Sequence, residues 1–130
     1  ARPDARVIAA MGDGTCGFHF SELETAARTG ANVVFVIGND QRWNAEYQIQ
    51  IREYGAQRTY GCELSDARYD LAAVGLGCHG EYVTHADELD AALERAANAG
   101  KPAVVNVLIQ ALPAPASPAS AGSATASSAH

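Results

Sequence analysis

Apolar and polar positions follow two periods along this chain. Arg6 to Met11 and Asn32 to Ile37 are short, nearly continuous apolar runs of strand length, each leading to a glycine. Between them the period changes. Over about 19–29, Phe20, Leu23, Ala26 and Ala27 recur on one helical face, and Gly30 is placed to stop the helix. A strand, a helix and a second strand in so short a span predict two parallel strands joined by a right-handed crossover. The pattern then repeats. A helix is expected over about 43–53, after a loop at Gly38 to Arg42. Residues 54–69 are polar, and a short helix is expected from Asp66 or Asp70 to Leu76. Gly80 to Val83 reads as a strand. Thr84 or Asp87 could cap a helix over about 87–99, ended by Gly100. Pro102 to Ile109 is a last buried strand. This alternation predicts an α/β fold, a three-layer sandwich around a mainly parallel sheet.

Composition narrows the function classes. The 48% apolar content of the 130 residues supports one packed domain, read here as residues 1–110. Residues 111–130 are almost all Ala, Pro and Ser and read as a flexible tail. The formal charge of −6, with no cluster of Lys and Arg, argues against a nucleic-acid surface. No apolar run approaches the roughly 20 residues of a membrane span, and no signal-peptide pattern opens the chain. Cys16, Cys62 and Cys78 form no CxxC pair, which argues against zinc. They read as small buried residues of a reducing compartment, and so as cytoplasmic. The first strand starts almost at once, and the strands are few for a doubly wound sheet. A fragment, with strands missing upstream or on another chain, is the expectation.

The chemistry concentrates at the ends of the first two strands. Gly12-Asp13-Gly14 follows one and Asn39-Asp40 the other. Ligands of parallel α/β sheets bind beyond the carboxyl ends of the strands, so Asp13 and Asp40 are aimed at one crevice. Two readings compete. Gly12-x-Gly14-x-x-Gly17, with Asp40 ending the next strand, matches the context of a Rossmann-type dinucleotide fingerprint for NAD. An ionised Asp13 among those glycines would, however, repel a diphosphate, unless a divalent cation lies between them. Mg²⁺ takes oxygen ligands and shares them between protein and phosphates. Asp13, Asp40 and a loop carbonyl could supply the protein half. Gly14 would admit the backbone, and Thr15 would offer a hydroxyl and an N–H. Asp13 alone would also suit a turn between glycines, and Asp40 a surface turn. Asp40 falling independently where a second ligand is needed favours the metal.

Gly12-Asp13-Gly14, a 24-residue gap and Asn39-Asp40 together resemble the thiamine-diphosphate motif of the acetolactate synthase, pyruvate decarboxylase and benzoylformate decarboxylase type. Ser21-Glu22-Leu23, Val36 to Asp40 and Gly100 to Val107 resemble further stretches of that family, so the likeness covers about residues 6–110. It implies the C-terminal, diphosphate-binding part of such an enzyme, with thiamine diphosphate and Mg²⁺ as cofactors. It implies Asp13 as first metal ligand, Asp40, 27 residues on, as second, and the Arg42 carbonyl as third. Many members have Asn where this chain has Asp40, and Asn39 is the alternative if the register differs by one. Gly12, Asp13, Gly14, Thr15, Asn39, Trp43 and Asn44 are the implied cofactor contacts. The helix bearing Trp43, Asn44, Tyr47 and Gln48 would lie over the thiazolium, although core packing explains Trp43 and Tyr47 equally well. Gln41 replaces a glycine common in that loop.

The activating glutamate of the family belongs to another domain, usually of a second subunit. No catalytic residue is therefore assigned here, and this stretch alone should anchor cofactor without catalysing. The implied activity is decarboxylation or carboligation of a 2-oxo acid, as a lyase or transferase, with the rest of the enzyme and a second subunit as partners. His19 reads as a packing or surface residue. His79 and His85 lack any partner at triad spacing and read as structural.

Overall fold

In a computed structural model, which describes residues 5–114, the chain forms four parallel strands with helices on both faces. The strands are β1 (Val7–Gly12), β2 (Val33–Asn39), β3 (His79–Val83) and β4 (Ala103–Leu108), in the spatial order β1-β2-β4-β3. The helices are α1 (Asp13–Phe18), α2 (Glu22–Thr29), α3 (Asn44–Tyr54), α4 (Tyr69–Gly75) and α5 (Leu89–Ala97). The expected α/β sandwich is therefore present, and the sheet is parallel throughout.

Strand alternation decides which side chains meet which helix layer. Met11, Phe35, Ile37 and Val104 face α1, α2 and α4, packing with Cys16, Leu23, Ala73 and Cys78. Val34, Val36, Val83, Ala103 and Val105 face the other way, onto Ala92 and Ala96 of α5. The crossovers β1 to β2 and β2 to β3 run in one direction across the sheet, with α1, α2 and α4 on one face. The step from β3 back to β4 runs in the opposite direction, with α5 on the opposite face. Reversing both direction and face keeps the crossover hand unchanged, as right-twisted strands demand.

Several element boundaries differ from the sequence expectation. The stretch Gly12 to Gly17, which precedes the helix expected over about 19–29, is itself mostly helix: α1 starts at Asp13, and a break at His19 to Ser21 separates it from α2. The apolar spacing marked only α2, because α1 carries two glycines and little periodicity. Gly30 ends α2 in the left-handed conformation expected of it (φ 65°). The fifth helix is capped at neither Thr84 nor Asp87. A 3-10 turn at Ala86–Glu88 precedes it, and Glu88 Oε2 accepts the N–H groups of Thr84 (3.0 Å) and His85 (3.1 Å). Helix α5 ends at Ala97, with Asn98 rather than Gly100 as its cap. The three cysteines are buried and free.

The two sheet edges differ. On β3, Glu81 accepts two hydrogen bonds from Arg95 (3.0 and 2.8 Å) and one contact from His79 (2.7 Å), a charged guard on an edge strand. This places His79 in a hydrogen-bonded cluster with Glu81 and Arg95. On β1, Ile8 is 67% exposed, and Val7 and Ala10 are exposed too. Of the stretch expected as a tail, residues 111–114 are described, and the Leu112 carbonyl accepts a hydrogen bond from Asn44 Nδ2 (2.7 Å). Residues 115–130 lie outside the described residues.

Candidate cofactor and metal site

The parallel register sets the two motifs side by side. Gly12, the last residue of β1, is paired with Gly38 of β2, so Asp13 and the Asn39–Asp40 step leave the same end of the sheet together. Asp13 is 1% exposed, and its Oδ2 has no hydrogen-bond partner. Such an orphan is costly, because a buried carboxylate oxygen loses its hydration with no compensation. Burial raises the Asp13 pKa above the usual carboxylate value, and the charge of Asp40 adds to the rise. The N–H groups of Gly14, Asp13 itself and Gln41 oppose it. Like charge and desolvation together leave a place that a cation would relieve.

The neighbouring loop is held by what lies behind it. Asn39 is fully buried and turned inward: Nδ2 donates to Asn106 Oδ1 (3.2 Å) and to the Ala67 carbonyl (3.3 Å), and Oδ1 accepts the Gln41 N–H (3.2 Å). Its side chain is thus committed within the fold, whereas the Asp40 carboxylate is the one whose charge reaches Asp13. Gln41 adopts φ 58°, a left-handed turn made without a glycine. Arg42 forms an antiparallel bridge with Glu63. Its bonds run from the Trp43 N–H to the Cys62 carbonyl (2.7 Å) and from the Leu64 N–H to the Gln41 carbonyl (2.8 Å), leaving the Arg42 carbonyl outside the bridge. The Arg42 guanidinium stacks on Tyr47 (4.1 Å) and approaches Glu63 (3.6 Å).

Trp43 closes the arrangement. A Cβ on Gly14 would lie 2.8–2.9 Å from the Trp43 ring, so the indole rests on the bare backbone of the first motif. Phe18 meets the same indole at 5.3 Å between ring centroids. Only glycine at position 14 allows this seating. Of the expected contacts, Gly12, Asp13, Gly14, Asp40, Arg42 and Trp43 thus gather at the end of β1 and β2. Thr15 is exposed. Asn44 is engaged by Leu112 and by Gln48 Nε2 (3.1 Å). Among the described residues, no group of three His, Cys, Asp or Glu converges as a metal cage. Any cation here would take two carboxylates, with backbone and non-protein oxygens completing its shell, as Mg²⁺ does. The unpartnered Asp13 Oδ2 fits such an ion.

The sequence reading passed over Asn106, Asp70 and Arg68, which brace this loop from behind. A signal was present: Asn106 interrupts the apolar run Ala103-Val104-Val105-Asn106-Val107-Leu108, and a polar residue inside a buried strand needs a partner.

The fold and site define an α/β domain with a carboxylate pair at the carboxyl end of a parallel sheet. The family model for the C-terminal TPP-binding domain of thiamine pyrophosphate enzymes matches residues 1–107, and the chain belongs to that family. It is 44% identical over 109 residues to the acetolactate synthase large subunit of Mycobacterium tuberculosis, covering 83% of this chain and 20% of that protein. It is 32% identical over 113 residues to human 2-hydroxyacyl-CoA lyase 2, covering 83% of this chain and 18% of that protein. Among solved structures, the thiamine diphosphate-dependent 4-hydroxybenzoylformate decarboxylase of Rhodococcus jostii RHA1 superposes with a TM-score of 0.76 at 26% identity, over 83% of this chain and 20% of that one. The chain therefore spans about a fifth of the length of the curated relatives it matches. The family match falls on the thiamine pyrophosphate reading of Gly12-Asp13-Gly14, not on the dinucleotide reading. The cofactor of the family is thiamine diphosphate, with Mg²⁺ its usual metal. No described helix is long and apolar enough to cross a membrane.

Proposed function

We propose that residues 1–110 anchor the diphosphate and Mg²⁺ of a thiamine-diphosphate-dependent enzyme that decarboxylates or ligates a 2-oxo acid, in the manner of an acetolactate synthase. The observation that carries this reading is the buried, unpartnered Asp13 Oδ2, set beside Asp40 at the paired ends of β1 and β2. The 44% identity to a protein named acetolactate synthase favours that chemistry over the lyase relatives at 32%.

Thiamine diphosphate supplies the nucleophile and electron sink for breaking a bond beside a carbonyl. The residues of this chain bind and orient. Asp13 and Asp40 would give the metal two anionic oxygens, and the Arg42 carbonyl would add a neutral one. Gly14 and Thr15 lie where diphosphate oxygens would approach, while Asn39 and Asn44 hold the walls. Trp43 shuts the Gly14 backbone off from water on one side. The acid or base chemistry on the aminopyrimidine falls to a residue outside this chain. The uncovered apolar side of β1 suits the remainder of the enzyme, and a second subunit completes the site. Three free buried cysteines suit the cytoplasm.

Calorimetric titration of thiamine diphosphate into the enzyme containing this chain, first with Mg²⁺ and then with EDTA, tests the reading. Binding that needs the metal and is lost in Asp13→Ala supports it. Metal-independent binding, or retention in the variant, overturns it.

A further inference from the structure

Behind the carboxylate pair runs a line of polar side chains, buried from Asp70 inward, that reaches the metal loop at Asn39. It begins at Arg68, which stacks on Tyr82 (4.1 Å) and donates to both oxygens of Asp70 (2.9 and 2.6 Å). Asp70, 4% exposed, accepts Asn106 Nδ2 at Oδ1 (3.2 Å). Asn106 Oδ1 accepts Asn39 Nδ2 (3.2 Å), and Asn39 Oδ1 accepts the Gln41 N–H (3.2 Å). Asn39 and Asn106 are both fully buried. The fold brings these members together from three separate stretches, 39–41, 68–70 and 106, with Tyr82 of β3 stacked on Arg68. Gly80 of β3 lets the first turn of α4 close down on the sheet, because a Cβ there would collide with the Asp70 carbonyl.

The line has a direction. A carboxylate held by a guanidinium can only accept, so Asn106 must turn Nδ2 toward Asp70 and Oδ1 toward Asn39. The Ala67 carbonyl, which also only accepts, reinforces this by taking Nδ2 of both asparagines (3.3 and 3.4 Å). Asn39 is then obliged to present Oδ1 to the Gln41 N–H. That bond spans two residues and holds Gln41 left-handed, which sets the course of the backbone between Asp40 and Arg42.

We propose that Asp70 and Asn106 are positioning residues for the metal loop: the carboxylate fixes the direction of both amides, and the amides fix where the Asp40 side chain and the Arg42 carbonyl face. The proposal rests on the reading of Asp13, Asp40 and Arg42 as the metal-holding set. The two residues touch neither metal nor cofactor, and their effect is carried through Asn39 and Gln41. A packing role alone would lower stability and leave the metal affinity of the folded protein unchanged.

The test is Mn²⁺ binding, followed by electron paramagnetic resonance in the presence of thiamine diphosphate, on the enzyme containing this chain. Asn106→Leu, Asp70→Asn and Asp13→Asn are compared, with melting temperatures measured alongside. Loss of an orienting partner behind a metal ligand predicts Mn²⁺ affinity about tenfold weaker in Asn106→Leu and several-fold weaker in Asp70→Asn, in fully folded protein. Should Asn106→Leu not fold, Asp70→Asn, which keeps the shape of the side chain, decides. Unchanged Mn²⁺ affinity in the folded positioning variants, with affinity lost in Asp13→Asn, overturns the proposal and leaves the metal site standing. Unchanged affinity in Asp13→Asn overturns the metal site, and the proposal with it.

Discussion

Asp13 and Asp70 are two buried carboxylates at the same end of the sheet, and they are built in opposite ways. Asp70 has both oxygens bonded by Arg68 and one also by Asn106. Burial pushes its pKa up, but the Arg68 and then the Asn106 hydrogen bonds outweigh that, and it lies below the usual value. Asp13 has an orphaned oxygen and a like charge nearby, and its pKa lies above the usual value. A fold that needed both acids for stability would satisfy both. It satisfies the one that braces the loop and leaves an oxygen unpartnered on the one at the paired ends of β1 and β2, which is how a ligand site differs from a structural ion pair.

The sharpest way to break this contrast is Asp13→Asn. The change is expected to weaken metal-dependent thiamine diphosphate binding by roughly 100-fold or more, beyond the loss typical of an outer-shell partner. It should at the same time stabilise the metal-free protein by about 1 kcal/mol, by removing an uncompensated buried charge. Calorimetry and urea unfolding in EDTA check the two halves. A metal-free variant less stable than wild type would mean that Asp13 is structural after all.

Next in size is Gly14→Ala. The added methyl must displace the Trp43 ring, and an over-packed contact of this kind costs typically 1–3 kcal/mol. Cofactor binding should fall about tenfold, with a shift in the Trp43 fluorescence, the only tryptophan in the chain. Unmoved fluorescence with unchanged affinity would detach Trp43 from the site.

The pH dependence sharpens the comparison, because the two acids contribute with opposite sign. Asp13, whose pKa is raised in the folded state, contributes stability that is full below the ordinary carboxylate value of 3.8 and is lost as pH rises through its folded pKa. Asp70, lowered in the folded state, contributes stability that is present above 3.8 and is lost as pH falls through its folded pKa. In metal-free protein, Asp13→Asn should therefore gain on wild type as pH rises from 3.8. Asp70→Asn should be destabilised near neutrality by about 1–3 kcal/mol, and the gap should close in acid. Urea unfolding across pH 3–8 measures both. Parallel curves for the two variants would erase the distinction.

The smallest effect is expected from Asp40→Asn. The amide keeps a metal-competent oxygen and relieves the repulsion on Asp13, so affinity should fall only a few-fold, about 1 kcal/mol at most. The Asp13 pKa, followed by carboxyl NMR, should drop. A loss as large as that of Asp13→Asn would make the second carboxylate indispensable.

The alternation of apolar runs and helical faces was sufficient for the order of strands and helices and for the α/β class, because burial on two faces imposes those periods directly on the residues. It also placed Asp13 and Asp40 at strand ends, since the motif residues follow the runs immediately. The start of α1 was not legible: a short helix with two glycines shows no face. Sheet order was not legible either, as β4 enters between β2 and β3 through pairings that no local period records.

Asn39 and Asp40 show the division most clearly. The sequence by itself put an amide and an acid at the end of β2, in a spacing that resembles a cofactor motif. Only the tertiary structure turned Asn39 inward to Asn106 and left the Asp40 charge acting on Asp13. Adjacent residues take opposite duties because one points into a buried polar line assembled from β2, β4 and α4, and the other does not. Local pattern encodes which residues are buried. Which partners a buried polar group finds depends on contacts between residues 36 and 67 positions apart, and those exist only once the sheet has formed.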